Sequence, residues 1–138
     1  MDYPGRVACT IFTGGCNFRC PYCQNSDLVL YPEETEPYSE EEIFDHLARR
    51  QDVLSGVCIS GGEPTLQPDL KNFIRKIKDL GLAVKLDTNG SNPAVLKELV
   101  TEGLLDYVAM DIKHSRAKYA SVACSPSFTP DAIAESVD

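Results

Sequence analysis

Val57 to Gly90 reads "VCISGGEPTLQPDLKNFIRKIKDLGLAVKLDTNG", and this stretch decides the fold. "VCIS", at the end of Val53–Ser60, has the short apolar pattern of a strand, and "LAVKL" over Leu82–Leu86 is another. Between them Leu70, Phe73, Ile74 and Ile77 recur at i, i+3, i+4 and i+7, which predicts a helix with one buried face. Pro68 stands where a first helical turn tolerates it, and Gly81 follows the helix as a C′ glycine. Strand, helix and strand in this order predict a βαβ unit, whose strands pair in parallel.

The same alternation continues in both directions. "RVACTIF", Arg6 to Phe12, lies between Pro4-Gly5 and Gly14-Gly15 and reads as a buried strand. A long polar loop from Cys16 to Tyr38 follows, as suits a functional loop. Ser39 and Glu42 form a capping box ahead of Ile43, Phe44 and Leu47, so a helix starts near Ser39. Asn92 and Pro93 open a helix with Val95, Leu96, Leu99 and Val100 on one face and Gly103 after it. "DYVAM", Asp106 to Met110, is the fourth strand. Ser115 to Pro126 is small and polar without a period, and Thr129 with Pro130 caps a last helix running to Asp138. Four strands alternating with helices predict an α/β fold with a parallel sheet, and no linker divides residues 1–138.

Composition restricts the function. Among 138 residues, 13 are Lys or Arg and 21 are Asp or Glu, for a net charge of -8, so binding to a nucleic-acid backbone by charge is not expected. No apolar run approaches the ~20 residues of a membrane span, and no basic-then-apolar leader opens the chain. The expectation is a cytoplasmic protein with no membrane partner. Its six cysteines then point to metal or redox chemistry, not to a disulfide framework.

The polar motifs all follow strands. "TGGCNFRCPYC" comes after the first, "GGEP" (Gly61–Pro64) after the second, "DTNG" (Asp87–Gly90) after the third and "DIK" (Asp111–Lys113) after the fourth. In parallel α/β folds the carboxyl ends of the strands form the active-site face, so these four loops are expected to converge. Ordinary turn chemistry explains any one of them. It does not explain why the helix-to-strand connections, such as "DLGLA", lack comparable clusters.

Cys16, Cys20 and Cys23 have the spacing C-x3-C-x2-C with no fourth cysteine nearby. Structural zinc takes four ligands, usually as two separated pairs, but Cys9, Cys58 and Cys124 each stand alone, as do His46 and His114. The ferredoxin pattern supplies four cysteines in one run. Three thiolates on a 4Fe–4S cluster would leave one iron open to a substrate; zinc and free thiols remain as alternatives. Cys9 and Cys58 read as small core residues, Cys124 as an exposed thiol and His46 as structural; for His114, which follows Lys113, the site rim is the minority reading.

"CNFRCPYC", Cys16 to Cys23, resembles the cluster motif of the radical S-adenosylmethionine (SAM) superfamily, with Tyr22 at the aromatic position of C-x3-C-x-aromatic-C. "GGEP" resembles the second signature of that family. "DTNG" and "DIK" are similar to the matching strands of glycyl-radical-enzyme activases. "MDYPGR" and "TGGCNFRCPYCQN" are most similar to the anaerobic ribonucleoside-triphosphate reductase activating proteins, and the resemblance runs from Met1 to about Lys113. It implies a partial, TIM-like (β/α) barrel. The family's barrel normally has six strands, so the four units here are expected to be a C-terminally incomplete radical SAM domain. It further implies a 4Fe–4S cluster on Cys16, Cys20 and Cys23, with SAM chelating the open iron. The SAM contacts implied are Tyr22, Gly61, Gly62, Glu63, Pro64, Asp87, Thr88, Asn89, Asp111 and Lys113. Reductive cleavage of SAM would give a 5′-deoxyadenosyl radical and so a glycyl radical on a partner, anaerobic ribonucleotide reductase, with a flavodoxin-like electron donor. A small-molecule substrate, such as a pterin-derived ring for contraction, and a non-catalytic metal-binding fragment are the alternatives.

Two further expectations follow. The glycines of "GGEP" let backbone approach a ligand without a Cβ in the way. With SAM placed as the resemblance implies, its carboxylate, Asp87 and Asp111 would crowd three negative charges around Lys113, so a monovalent cation on oxygens of Asp87, Thr88 and Asp111 is expected, the alternative being one carboxylate protonated or turned to solvent.

Overall fold

The computed structural model describes residues 2–125 and 128–138; Met1 and Pro126, which bound two of the readings above, lie outside them with Ser127. All four strands form: β1 is Ala8–Thr13, β2 Gly56–Gly61, β3 Ala83–Thr88 and β4 Tyr107–Met110. They build one sheet in the order β1-β2-β3-β4, each pair parallel. Register lines up Ile11, Ile59, Leu86 and Val108 in one row and Thr10, Cys58, Lys85 and Tyr107 in the next. Because side chains alternate along a strand, the two rows face opposite sides.

The apolar row meets the helices. Those before the last strand are α1 (Ser26–Leu30), α2 (Glu40–Arg49), α3 (Leu70–Asp79) and α4 (Pro93–Thr101). Val57, Ile59, Val84 and Leu86 of the sheet pack with Leu47 of α2, Leu70, Ile74 and Ile77 of α3, and Leu96 and Leu99 of α4. Ile74 and Ile77 are fully buried, each contributing about 2 kcal/mol of transfer free energy. The capping box of α2 is present: the Ser39 hydroxyl accepts from Glu42 N (3.2 Å) and Glu42 Oε2 accepts from Ser39 N (2.8 Å). Gly81 ends α3 at φ +76°, the left-handed C′ position that glycine occupies without strain.

Several details differ from the sequence reading. Pro68 stands before Asp69, the N-cap of α3, and is not in its first turn. β1 is an edge strand, so Phe12 is 54% exposed where a buried strand was expected. Val100 is exposed, leaving Leu96 and Leu99 as the buried stripe of α4. Asn92 stands at the N-cap of α4 but makes no cap bond, and its Nδ2 donates to the Thr65 carbonyl (3.2 Å). The long loop contains α1 and a 3₁₀ turn at Pro32–Glu34, with Val29 buried.

The aperiodic tail folds as well. It forms a 3₁₀ turn at Arg116–Lys118 and α5 (Tyr119–Ala123), and the expected last helix follows as α6 (Pro130–Val137), with Thr129 at its N-cap but making no side-chain cap bond. Tyr119, Ala123 and Ile133 close with Phe18 into a second, smaller core that also touches Cys16 and Cys20. Phe128 stacks on Tyr119 (centroids 4.9 Å apart) and meets Phe18 edge-on at 5.7 Å.

Candidate cluster and cofactor site

The four polar loops do meet beyond the carboxyl ends of the strands. The first two interlock through backbone: Gly62 N donates to Thr13 O (2.8 Å) and Glu63 N to Gly15 O (2.9 Å). A Cβ on Gly62 would lie 1.8 Å from Gly15 O, and Gly61 (φ +104°) would place one 2.5 Å from Thr13 N. Contact between loops therefore already requires both glycines, where the sequence reading assigned them to ligand approach. Gln67 and Asn25 add side-chain bonds to the carbonyls of Gly14 (2.9 Å) and Gly61 (3.1 Å).

Glu63 is fully buried and joins the second loop to the third. Its Oε1 accepts from Thr65 N (3.1 Å), Thr65 Oγ1 (2.6 Å) and Thr88 Oγ1 (2.7 Å), and its Oε2 from Asn89 N (2.7 Å). Asn89 in turn reaches the first loop, donating to Asn17 Oδ1 (3.0 Å) and to Cys16 Sγ (3.7 Å). At the fourth loop the buried Tyr119 hydroxyl accepts from Lys113 N (3.2 Å) and donates to Asp111 O (3.2 Å). Tyr22 donates to Lys113 O (3.2 Å), so first and fourth loops also touch.

These contacts enclose a cavity of about 390 Å³, a size that suits a small-molecule cofactor. Cys16, Cys20, Cys23 and Tyr22 line it from the first loop and Gly61 and Gly62 from the second. Asp87, Thr88 and Asn89 line it from the third, and Asp111 and Lys113 from the fourth. Glu63 and Pro64 are buried behind that wall, and His114 is exposed away from it. His46 is exposed on α2. Sequence reasoning missed Asn17, Asn25 and Tyr119, which hold the loops together. It also missed Lys85, whose signal was available: a charge inside an apolar strand, two residues before Asp87 and so on the same face.

Burial sets the electrostatics of the thiols and of the ammonium. Burial pushes the Cys16 and Cys20 thiols up, so taking up metal there releases protons. Burial works against the Lys113 ammonium, but its 2.6 Å pair with Asp111 outweighs burial and holds it above its ordinary value. Among the described residues no three His, Cys, Asp or Glu side chains stand close enough to share one metal ion. A cluster sets a different requirement, since each cysteine there binds a different iron. Three sulfur donors on one cavity wall, with Asn89 and Phe18 N (3.3 Å) hydrogen-bonded to Cys16 Sγ, match that donor set.

Each of the three residues expected to offer oxygens to a cation also has a protein partner. Asp87 pairs with Lys85, Thr88 Oγ1 donates to Glu63, and Asp111 pairs with Lys113. Lys85 thus adds a second ammonium beside the carboxylates, next to Asp87.

Comparison with known proteins agrees with this geometry. "Putative glycyl-radical enzyme activating enzyme MJ1227" of Methanocaldococcus jannaschii is 43% identical over 122 residues, covering 86% of this chain and 48% of that protein. The 7-carboxy-7-deazaguanine synthase of Hyperthermus butylicus is 35% identical over 97 residues, covering 70% of this chain and 40% of that protein. The chain thus spans less than half the length of either relative. The crystal structure of Streptococcus suis SuiB has the same fold over 91% of this chain and 28% of its own, with a TM-score of 0.65 and 18% identity. The α/β fold is accordingly a partial radical SAM fold. Residues 10–138 match the radical SAM superfamily, and the chain belongs to it, with that family's cofactors, a 4Fe–4S cluster and SAM.

Proposed function

We propose that this chain is the cluster- and SAM-binding part of a glycyl-radical-enzyme activase, with Cys16, Cys20 and Cys23 as the cluster ligands. The observation that carries this reading is the convergence of three thiols, two carboxylates and an ammonium on one cavity at the ends of four parallel strands. When bound, the cluster supplies one electron that breaks the S–C5′ bond of SAM, giving methionine and a 5′-deoxyadenosyl radical.

The chain's own residues bind and orient. Lys113 offers a point charge to the SAM carboxylate, with Asp111 holding its ammonium. Asp87, Thr88, Asn89, Gly61 and Gly62 line the cavity beside the thiols and would hold the methionine end of SAM. Tyr22 ties the cysteine loop to the carbonyl of Lys113. Phe18, Tyr119 and Phe128 exclude water from the back of Cys16 and Cys20.

Likeness to a protein named as a glycyl-radical enzyme activating enzyme supports a protein substrate, and the motifs quoted above favour anaerobic ribonucleotide reductase with a flavodoxin-like donor. A small-molecule substrate is the second reading, favoured by the likeness to 7-carboxy-7-deazaguanine synthase. Mixing the reduced, cluster-loaded chain with SAM and purified anaerobic ribonucleotide reductase separates them. The activase reading predicts a glycyl radical on the reductase by electron paramagnetic resonance, with 5′-deoxyadenosine in equal amount. Formation of 5′-deoxyadenosine only on adding a purine- or pterin-like compound, with no protein radical, overturns it.

A further inference from the structure

Asn89 directly follows β3 and is buried, with its side chain set against the cysteine loop. Both ends of its amide are engaged. Oδ1 accepts from Ser91 N (2.9 Å), and since a backbone N–H only donates, the opposite end of the amide is the NH2 group. Nδ2 donates to Asn17 Oδ1 (3.0 Å) and to Cys16 Sγ (3.7 Å). Asn17 is fixed in turn, its own Nδ2 donating to Ser91 Oγ at 2.8 Å. The backbone on either side is pinned as well: Asn89 N donates to Glu63 Oε2 (2.7 Å), and the Gly90 carbonyl accepts from Ser136 Oγ (2.8 Å). The donor aimed at Cys16 is therefore held in one orientation. A second donor, Phe18 N, meets the same sulfur at 3.3 Å.

We propose that Asn89 raises the reduction potential of the bound cluster through the hydrogen bond it gives to Cys16 Sγ. The inference rests on the reading above that Cys16, Cys20 and Cys23 carry a 4Fe–4S cluster. The step concerned is the uptake of one electron from an external one-electron donor, in which no bond forms or breaks. The added negative charge spreads onto the sulfur ligands, so an N–H dipole aimed at one of them stabilises the reduced state more than the oxidised. Burial keeps that interaction from being screened by water. Because Ser91 and Asn17 already hold the amide, the dipole needs no reorientation when the electron arrives. The same bonds from Asn89 and Phe18 favour the Cys16 thiolate, opposing the burial that pushes this thiol up. Asn89 acts through Cys16 and is a positioning residue in this sense.

The test is a redox titration of the cluster-loaded chain without SAM, the reduced cluster being counted by electron paramagnetic resonance. Iron, sulfide and thermal unfolding check the loading and fold of each variant. Asn89→Ala removes the donor. At the potential where half of the wild-type cluster is reduced, its reduced-to-oxidised ratio should be about tenfold lower, a midpoint ~59 mV below wild type for one electron. Asn89→Asp keeps the shape and an oxygen for Ser91 N but turns a carboxylate oxygen toward Cys16, and should lower the midpoint further. An amide with only a structural role would change thermal unfolding and leave the midpoint of the loaded cluster where it was. A midpoint at or above wild type in either variant overturns the proposal. The wild-type chain supplies a measurement that needs no variant: with isotopic nitrogen in its asparagine side chains, the reduced cluster should show a coupling to that nitrogen in pulsed resonance spectra, and its absence also overturns the proposal. Wild-type chain that takes up no 4Fe–4S cluster overturns the ligand reading, and this proposal with it.

Discussion

Replacing Cys16, Cys20 or Cys23 with Ala abolishes stable incorporation of a 4Fe–4S cluster, whereas Cys9→Ala, Cys58→Ala and Cys124→Ala each retain it. The cavity offers three sulfur donors and no other thiol, so the loss of one leaves two irons without a protein thiolate. The other three cysteines sit elsewhere for distinct reasons. Cys9 packs against the helix-covered core from β1, Cys58 is buried on the opposite sheet face beside Lys85, and Cys124 is exposed at the end of α5. Iron and acid-labile sulfide per chain after anaerobic reconstitution read the difference directly. The expected change is all-or-none, because metal and fold of this loop are coupled. Full iron and sulfide in Cys16→Ala would contradict the ligand assignment.

Glu63→Ala should cost about 3–5 kcal/mol of stability, the largest effect expected from a residue outside the cavity wall. Two backbone N–H groups, of Thr65 and Asn89, and two hydroxyls, of Thr65 and Thr88, end on this one buried carboxylate. Alanine leaves these groups buried with their acceptor gone, and each unsatisfied group costs about 1–3 kcal/mol. The loss also frees the third loop from the second, and with it the Asn89 contact to Cys16. Urea unfolding of the two proteins measures the cost from the shift in midpoint at equal slope. A change under about 1 kcal/mol would show that the loops are held by other contacts.

The βαβ skeleton was legible because its signals are local. The i, i+3, i+4, i+7 stripe of α3, the Ser39–Glu42 box and Gly81 each specify their element without help from distant chain. The placement of motifs after strands then located the site, since parallel topology alone sends those loops to one end. What stayed hidden depends on tertiary contact. Phe18, Tyr119, Phe128 and Ile133 come from three separate segments and show no common period, so the second core could not be read from spacing. Glu63 was expected to face SAM. Only the positions of Thr65, Thr88 and Asn89 show its carboxylate turned inward. Gly62 was assigned to ligand approach because Gly15, the backbone it touches, lies across a β1–β2 contact that no local pattern records.

The central claim is that cluster and SAM meet in the one cavity made by the four strand-end loops. The electron paramagnetic resonance spectrum of the reduced, cluster-loaded chain, recorded before and after adding SAM, tests it most directly. The account predicts that SAM changes the spectrum of the wild-type cluster, because SAM binds at the iron that the three cysteines leave open. Superimposable spectra at saturating SAM would contradict it.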